Sequence, residues 1–548
     1  MMGPLELLEA TRGVAVGEFL RARTILRVAA STGLAASLSR RGLLEIARSL
    51  PGGQNPSLLF RIYAADRPDS AALVYEGLSI TWANLWRDIT RAAAGLLEAG
   101  ARPGASVLLV MRNRPEFIVA QNAAALIGCA AVSASFHATA EELSYLAEHS
   151  RAAVAIVEHS LRDRLPALVP EIVTVGAESA TWPALLRRGA RSPVTGATGE
   201  PSVVVYTSGT TGKPKGAVRK FPRDSMAGAM RFIEITPMRA GDRHLVVAPL
   251  YHSTAYAFAT MTLLLGGTVV LGADFEPARF LDDLERHHIN TTAVVPTLLH
   301  RCLEYLGARR TRPMALPDLR AIFSGGAPLS GALALRVMDR FGDVLFNFYG
   351  ATETGLVTLA TPDDLRHAPG TIGRAVPGVA LRFAGADGRE VRAGETGELF
   401  VKGSLVSEGY LRDDDATRAA SQDGYTSVGD LARQDPQGRV FLEGRRRELI
   451  ISGGVNVYPI EVEHALETHP QIAEAAVVGV PDDEWGERVR AYLVLREQHA
   501  PLDHDELRAY MKARLSGAKV PREYVTVGEL PRNPTGKVQK ARLAREYP

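Results

Sequence analysis

The chain has 548 residues, of which 46% are hydrophobic and 23% charged, and its 63 basic and 61 acidic side chains give a formal net charge of +2. This length exceeds what one hydrophobic core can organise, so two or more domains are expected. The charge balance leaves no electrostatic footprint for a nucleic acid partner. Two cysteines, Cys129 and Cys302, cannot make a disulfide framework, which favours a reducing compartment.

Residues 1–55 are predicted to form a basic amphipathic N-terminal extension. Between residues 21 and 50, six arginines are interleaved with leucine and isoleucine, and Glu45 is the only acidic residue. Such a segment can lie on an anionic membrane surface, or it can pack on the main domain or in a homodimer. Glu6 and Glu9 argue against a secretory signal, and no apolar stretch reaches the length of a membrane span. We expect a cytoplasmic protein and leave open peripheral contact with the inner face of a membrane.

Residues 56–444 are predicted to form a large α/β domain of parallel-rich sheets with helices. Apolar β-branched runs such as Val203–Tyr206, Leu245–Ala248 and Leu319–Phe323 are linked by helical patterns, as expected for parallel strands covered on both faces. Ligands of such sheets bind at the carboxyl ends of the strands. Short strands with glycine turns around residues 378–401 predict a small β-rich subdomain. Residues 445–548 are predicted to form a small α+β domain.

A loop with the composition of a phosphate site follows the strand that ends at Tyr206. Glycines let backbone N–H groups approach a phosphate, and hydroxyl and ammonium groups donate to its oxygens. The spacing is not that of a Walker A loop, because Pro214 follows Lys213 where that motif needs serine or threonine. The residues assigned to phosphate binding are Thr207, Ser208, Gly209, Thr210, Thr211, Gly212 and Lys215.

The segment 207–216 resembles the phosphate-loop signature of the adenylate-forming superfamily, which contains acyl-CoA synthetases, adenylation domains of peptide synthetases and luciferases. The resemblance covers residues from about 200 to 540, also extends back to residue 60, and is strongest to a fatty acyl-CoA synthetase. Further motifs match in the expected order: Pro249–His252, Ser324–Pro328, Tyr349–Glu353, Gly424–Asp430, Gly444-Arg445 and Pro531–Lys537.

The resemblance implies that ATP, Mg²⁺ and coenzyme A are used and assigns the chemistry to four residues. Glu353 would hold Mg²⁺, since a carboxylate beside a triphosphate needs a cation between them, and Thr352 would contact the α-phosphate. Lys537 would be the catalytic lysine, a cation that screens the repulsion between the attacking carboxylate and the α-phosphate. His252 matches an aromatic gate between the acyl pocket and the thiol tunnel.

The same resemblance implies the remaining nucleotide and thiol contacts. The adenine site, the ribose site and the pantetheine-lining face would each be formed by a separate set of residues. The adenine set is Gly325, Gly326, Ala327, Asn347 and Tyr349, the ribose set is Asp430 and Arg445, and the pantetheine-lining set is Gly453 and Gly454. Gly350 is also assigned to cofactor binding. The C-terminal domain is mobile in this family and rotates between the two half-reactions. Arg447 stands at the hinge position, where Asp or Lys is usual in the family.

The resemblance implies an acid–thiol ligase that converts a carboxylic acid into an acyl-adenylate and then into an acyl-CoA. The small apolar stretch Ser253–Ala259 and the N-terminal extension favour a medium- to long-chain fatty acid. Open alternatives are an aryl or steroid acid CoA ligase, an acyl-AMP ligase, a stand-alone adenylation enzyme that loads a carrier protein, and a non-catalytic nucleotide-binding protein of this fold.

Overall fold

The computed structural model of the protein describes residues 23–49, 55–165, 169–207, 214–220, 223–272, 274–307, 316–482, 484–496, 502–533 and 536–547. Strands β1 to β26, in chain order, are Ala71–Tyr75, Leu78–Thr81, Ser106–Val110, Ala130–Ser133, Ala152–Glu158, Glu171–Val175, Ser202–Thr207, Lys215–Lys220, Arg243–Val246, Thr268–Leu271, Thr291–Val294, Ala321–Ser324, Leu345–Ala351, Gly355–Ala360, Arg374–Ala375, Ala380–Ala384, Gly397–Lys402, Gly409–Tyr410, Ser421–Gln422, Tyr425–Gln434, Val440–Arg445, Ile450–Ser452, Val455–Val457, Ile472–Asp482, Gly486–Leu495 and Glu523–Thr526.

The helices alternate with these strands along most of the chain. Residues 23–31 form α1. Helices α2 to α18 are Leu34–Ser37, Arg40–Ser49, Leu58–Asp66, Trp82–Glu98, Pro115–Leu126, Ala140–Ser150, Trp182–Gly189, Arg223–Glu234, Ser253–Leu264, Pro277–Arg286, Pro296–Gly307, Gly331–Phe341, Pro362–His367, Asp414–Ala420, Pro459–Glu467, His504–Lys512 and Lys540–Glu546. None of the helices within the described ranges is long and apolar enough to cross a lipid bilayer.

Two large sheets carry most of the strands. One has the order β15-β14-β13-β12-β11-β9-β10-β1-β2 and the other β18-β8-β7-β4-β3-β5-β6. Their central strands are parallel. Antiparallel strands lie at both edges of the first sheet and at the β18 edge of the second, whose other edge strand, β6, is parallel. The residues of β3, β10 and β12 are all buried, as expected for apolar runs covered on both faces. The predicted parallel-rich α/β domain is thereby confirmed.

The two large sheets share a core made by the helices between them. Apolar side chains of α5, α6 and α10 pack against strands of both sheets in one buried cluster. Helices α11 to α13 cover the other face of the nine-stranded sheet, and α7 covers the other face of the seven-stranded sheet. The sheets are therefore sandwiched between layers of helix, and the loops at their strand ends lie where a ligand can reach them.

Two smaller sheets follow along the chain. The predicted β-rich subdomain is the antiparallel sheet β16-β17-β20-β19, with β21 paired to β20. The C-terminal sheet has the order β23-β22-β25-β24, with β26 parallel to β25, and it packs with α16 and α17 around its own apolar core. A small α+β unit at the C-terminus was predicted and is confirmed, while the boundaries after residues 55 and 444 stay predictions.

The described part of the N-terminal extension packs on the large domain. Val28 of α1 is fully buried in a cluster with Met230 and Phe232 of α9, and the carbonyl of Thr32 accepts a hydrogen bond of 2.9 Å from the amide of Ala240. This is the packing alternative that the sequence left open. It leaves large apolar side chains on the surface: Ile25, Leu26, Leu43 and Leu44 are 46–70% exposed.

Candidate active site

The predicted phosphate loop joins two antiparallel strands. Strand β7 ends at Thr207 and β8 begins at Lys215, and these two residues are register partners at the loop end of the hairpin. The predicted phosphate ligands Ser208, Gly209, Thr210, Thr211 and Gly212 lie outside the described residues. Lys215 places its Nζ 3.3 Å from a carboxylate oxygen of Asp413.

The predicted magnesium residue, Glu353, is held on a short turn between β13 and β14. The hydroxyl of Tyr410 donates to Glu353 Oε1 at 3.2 Å, and the amide of Ser407 donates to the Glu353 carbonyl at 2.7 Å. Burial, and then the charge of Glu353, raise the pKa of Tyr410, so its phenol keeps the proton that it donates. The Thr352 carbonyl accepts a hydrogen bond of 2.7 Å from Arg219 Nη2.

The predicted ribose and adenine residues form one hydrogen-bonded group. The Tyr349 hydroxyl donates to Asp430 Oδ2 at 2.6 Å, and Arg445 Nε lies 3.0 Å from Asp430 Oδ1. Asp430 and Arg445 are register partners on β20 and β21, which fixes their spacing. Burial, then the Asp430 carboxylate, raise the pKa of Tyr349 well above its usual value, so the ring is a neutral donor.

The other predicted adenine residues lie on two neighbouring strands, Asn347 within β13 and the turn of residues 325–327 directly after β12. Asn347 is buried, and its amide nitrogen donates to the Thr371 carbonyl at 2.9 Å, so its adenine contact stays a prediction. The turn Gly325, Gly326 and Ala327 follows β12. A Cβ at Gly325 would overlap the ring of Phe348, so this turn runs close to the aromatic core beneath it.

Lys537, in the C-terminal domain, lies close enough to this group for the charges of Arg445 and Asp430 to act on it. Its amide donates to Asn533 Oδ1 at 2.9 Å, and the neighbouring Gly536 carbonyl accepts from Thr297 Oγ1 of α12 at 3.4 Å. Burial, followed by repulsion from Arg445, lowers the pKa of the Lys537 ammonium to about 8, and the charge of Asp430 opposes the shift. The predicted catalytic lysine and ribose residues therefore lie in one electrostatic environment.

The residues predicted to serve the thiol step are His252 and the Gly453–Gly454 turn, and their contacts are with other parts of the structure. His252 precedes α10, and its Nε2 is buried with no hydrogen-bond partner among the described residues. Burial lowers the pKa of His252 to about 4, so the ring is neutral at physiological pH, and its role as a gate stays a prediction. Gly453 and Gly454 have φ values of 56° and 78° in the turn between β22 and β23, and Gly453 lies against the Trp485 ring of the same domain.

Comparison with known proteins decides the family. Residues 60–411 match the AMP-binding enzyme family, and residues 461–537 match the AMP-binding enzyme C-terminal domain. The chain belongs to the AMP-binding enzyme family. The resemblance to adenylate-forming enzymes is thus confirmed.

Individual members of the AMP-binding enzyme family are similar over most of their length. A feruloyl-CoA synthase of Amycolatopsis sp is 34% identical, covering 88% of this chain and 96% of its own. A fatty acid–[acyl-carrier-protein] ligase, ScoC, of Streptomyces coeruleorubidus is 32% identical, covering 88% and 95%. The solved structure of o-succinylbenzoate CoA synthetase (MenE) from Bacillus subtilis with its acyl-adenylate OSB-AMP has a TM-score of 0.76 at 29% identity, covering 88% and 97%.

Two residues of this AMP-binding enzyme that contact the candidate site were missed by sequence reasoning. Tyr410 follows Gly409 in a short strand, and Arg219 lies inside β8, so neither belongs to a motif that was considered. The sequence offered no signal for Arg219, because β8 also contains Lys215 and Lys220, and an arginine beside them is typical of a solvent-facing strand end. Nothing in the local pattern around Tyr410 indicated that its hydroxyl reaches Glu353.

Proposed function

We propose that this AMP-binding enzyme is an AMP-forming acid–CoA ligase, which converts a carboxylic acid and ATP into an acyl-adenylate and then transfers the acyl group to coenzyme A. The observation that carries the proposal is the burial of Lys537 where its loop contacts α12, near enough to Asp430 and Arg445 for their charges to act on its ammonium. A protein that only binds a nucleotide would not need a desolvated lysine near the ribose residues. Attack of a carboxylate on the α-phosphate needs such a cation, because both reactants are negative.

In the proposed first step, the acid's carboxylate oxygen attacks the α-phosphorus and pyrophosphate leaves. Asp430 accepts from the ribose hydroxyls, and Arg445 fixes the orientation of that carboxylate. The Lys537 ammonium lies between the two negative reactants, stabilises the charge that develops on the α-phosphoryl oxygens and costs no reorganisation during the reaction. The product is a mixed anhydride whose carbonyl carbon a thiol can attack.

The residues present fit a magnesium ion shared with phosphate. No group of three or more His, Cys, Asp or Glu side chains in the described ranges could hold a metal, but Mg²⁺ that is bound with phosphates and water needs one or two carboxylates. Glu353 would supply that carboxylate, oriented by the Tyr410 hydroxyl. When bound, the ion would neutralise charge on the leaving pyrophosphate.

In the proposed second step, the thiol of coenzyme A attacks the acyl carbon and AMP leaves. Burial lowers the pKa of His252 to about 4, so its neutral ring is a weak base and we assign it no general-base role. It can still contact the acyl group as a flat apolar surface. The Gly453–Gly454 turn, with the exposed apolar side chains of Ile451 and Val455 beside it, supports a role as the pantetheine-lining face.

We propose an acid that carries an aromatic ring as the substrate class. The support is the similarity to a feruloyl-CoA synthase and to the o-succinylbenzoate CoA synthetase. The second candidate is a medium- to long-chain fatty acid, favoured by the similarity to the ScoC ligase and by the small residues at the start of α10. The similarity to the ScoC ligase also favours a carrier protein as the alternative acceptor of the acyl group.

The test is a panel of acids scored by pyrophosphate release and then by acceptor. Substituted cinnamic, indole-acetic and succinylbenzoic acids would be compared with fatty acids of eight to sixteen carbons. The proposal expects release with an aromatic acid and thioester with coenzyme A. Release with fatty acids alone would overturn the substrate class, thioester on a carrier protein alone would overturn the acceptor, and no release with any acid would overturn the reaction.

Cytoplasmic location and peripheral membrane contact also stay proposals. Four exposed large apolar side chains, Ile25, Leu26, Leu43 and Leu44, lie beside Arg23, Arg40 and Arg41 in the N-terminal segment. Apolar groups that insert and arginines that meet anionic headgroups would together give a weak, salt-sensitive attachment.

A further inference from the structure

Arg219 is a cation built into the strand that follows the phosphate loop. Its Nη2 donates to the carbonyl of Thr352 at 2.7 Å, and its Nε is buried without a hydrogen-bond partner among the described residues. Burial lowers the pKa of the Arg219 guanidinium, and the negative charge that opposes this shift is that of Glu353. A desolvated cation is costly unless an anion compensates it, so Arg219 and Glu353 are matched in charge.

The bond from Arg219 acts on the peptide unit that precedes Glu353. The Thr352 carbonyl and the Glu353 amide belong to one rigid plane, so holding the carbonyl sets the direction in which the Glu353 residue leaves the turn. Ser407 holds the next carbonyl, and Tyr410 holds the carboxylate itself. Together, these three contacts restrain the backbone on both sides of Glu353 as well as its side chain.

We propose that Arg219 is a positioning residue that fixes Glu353 for Mg²⁺ shared with the phosphates of ATP. This inference rests on the proposed function, because it takes the site to bind ATP. Arg219 does not touch the reacting atoms and acts through the Thr352 carbonyl and through its charge. Outer contacts that orient a metal-binding side chain are typically worth 10- to 100-fold in metal affinity or activity.

The test measures the metal-dependent part of ATP binding. ATP affinity would be determined by calorimetry without acid, once with Mg²⁺ and once with EDTA, for the unmodified protein, Arg219→Met and Arg219→Lys. We expect Arg219→Met to reduce the tightening by Mg²⁺ about tenfold and to change the affinity in EDTA much less. Arg219→Lys should be intermediate, since it keeps a charge but loses the planar donor geometry. The matched control is Lys220→Met, the adjacent exposed residue of β8, which pairs with Glu408.

A second comparison tests whether Arg219 works through Glu353. In the Glu353→Gln background, Arg219→Met should cause no further loss of metal-dependent affinity, because the carboxylate that it positions is gone. If Arg219→Met weakened ATP binding equally with Mg²⁺ and with EDTA, the inference would be overturned and a plain structural role indicated. Unchanged ATP affinity in both conditions would also overturn it. Should the methionine variant fail to fold, the lysine variant alone decides by the same ratio. These outcomes are independent of pyrophosphate release, which tests the proposed reaction.

Discussion

The lowered pKa of Lys537 predicts an alkaline limit to adenylation. Burial and the charge of Arg445 bring this pKa to about 8 in the free enzyme, so the ammonium fraction is about 90% at pH 7 and about 10% at pH 9. If the ammonium is the form that assists the attack, kcat/KM for ATP should fall about tenfold between these values. The sign is fixed by the chemistry, because raising the pH removes the positive charge.

Bound nucleotide should shift this limit to higher pH. The triphosphate brings negative charge next to the Lys537 ammonium and favours its protonated form. The kcat profile, which reports the enzyme–substrate complex, should therefore decline at higher pH than the kcat/KM profile, which reports the free enzyme. A pyrophosphate-release assay over pH 6.5–9.5 at limiting and saturating ATP would measure both.

Lys537→Ala should remove the alkaline decline together with the activity. We expect a loss of at least about 100-fold in adenylation, the scale of one preorganised electrostatic contact, while thioester formation from a supplied acyl-adenylate should be largely retained. Lys512→Ala, an exposed lysine of the same domain, is the matched control. Equal loss in both half-reactions, or a wild-type kcat/KM that does not change from pH 7 to 9, would refute the reasoning.

Three further outcomes are expected. Glu353→Gln should keep the fold and lower magnesium-dependent turnover about 10- to 100-fold; wild-type activity at saturating Mg²⁺ would contradict the metal role. Gly350→Ala should lower the melting temperature and weaken ATP binding in calorimetry, because its Cβ would overlap a neighbouring backbone carbonyl. A melting temperature and an ATP affinity equal to those of the unmodified protein would show that the backbone moves to accommodate the methyl group. Leu26→Glu with Leu43→Glu should abolish vesicle binding at low salt without changing the melting temperature, whereas Val28→Ala should cost about 2 kcal/mol of stability; failure of the unmodified protein to bind anionic vesicles would reject membrane contact.

Much of the large domain could be predicted from the sequence because its strands are unbroken apolar runs. The run Val203–Tyr206 was predicted as a strand and lies within β7, Ser202–Thr207. Sheet membership could not be predicted, since the predicted strand runs Val203–Tyr206 and Leu245–Ala248 are both short and apolar. Strand β7 joins the sheet of β3 to β6, and β9 joins the sheet that also receives β1 and β2, a choice made by long-range packing.

The candidate site was predictable where motifs carry the chemistry and not where side chains arrive singly. Tyr349, Asp430 and Arg445 came from motifs, and the structure brings them together. Arg219 has no motif, and its role depends on a contact with a residue far along the chain. In the N-terminal segment, Leu26 is exposed and Val28 buried, although both are apolar, so their pattern could not distinguish packing from an exposed face.

The pairing of β20 with β21 constrains where this chain can change in length. Asp430 and Arg445 are opposite each other at one end of the hairpin, and the chain continues from Arg445 into β22 of the C-terminal sheet. An insertion or deletion at that end would alter both the ribose contacts and the position of the C-terminal domain that carries Lys537. The far end, a turn closed by Asp435 and Arg439, contacts neither, so it is where natural insertions and engineered tags should be tolerated.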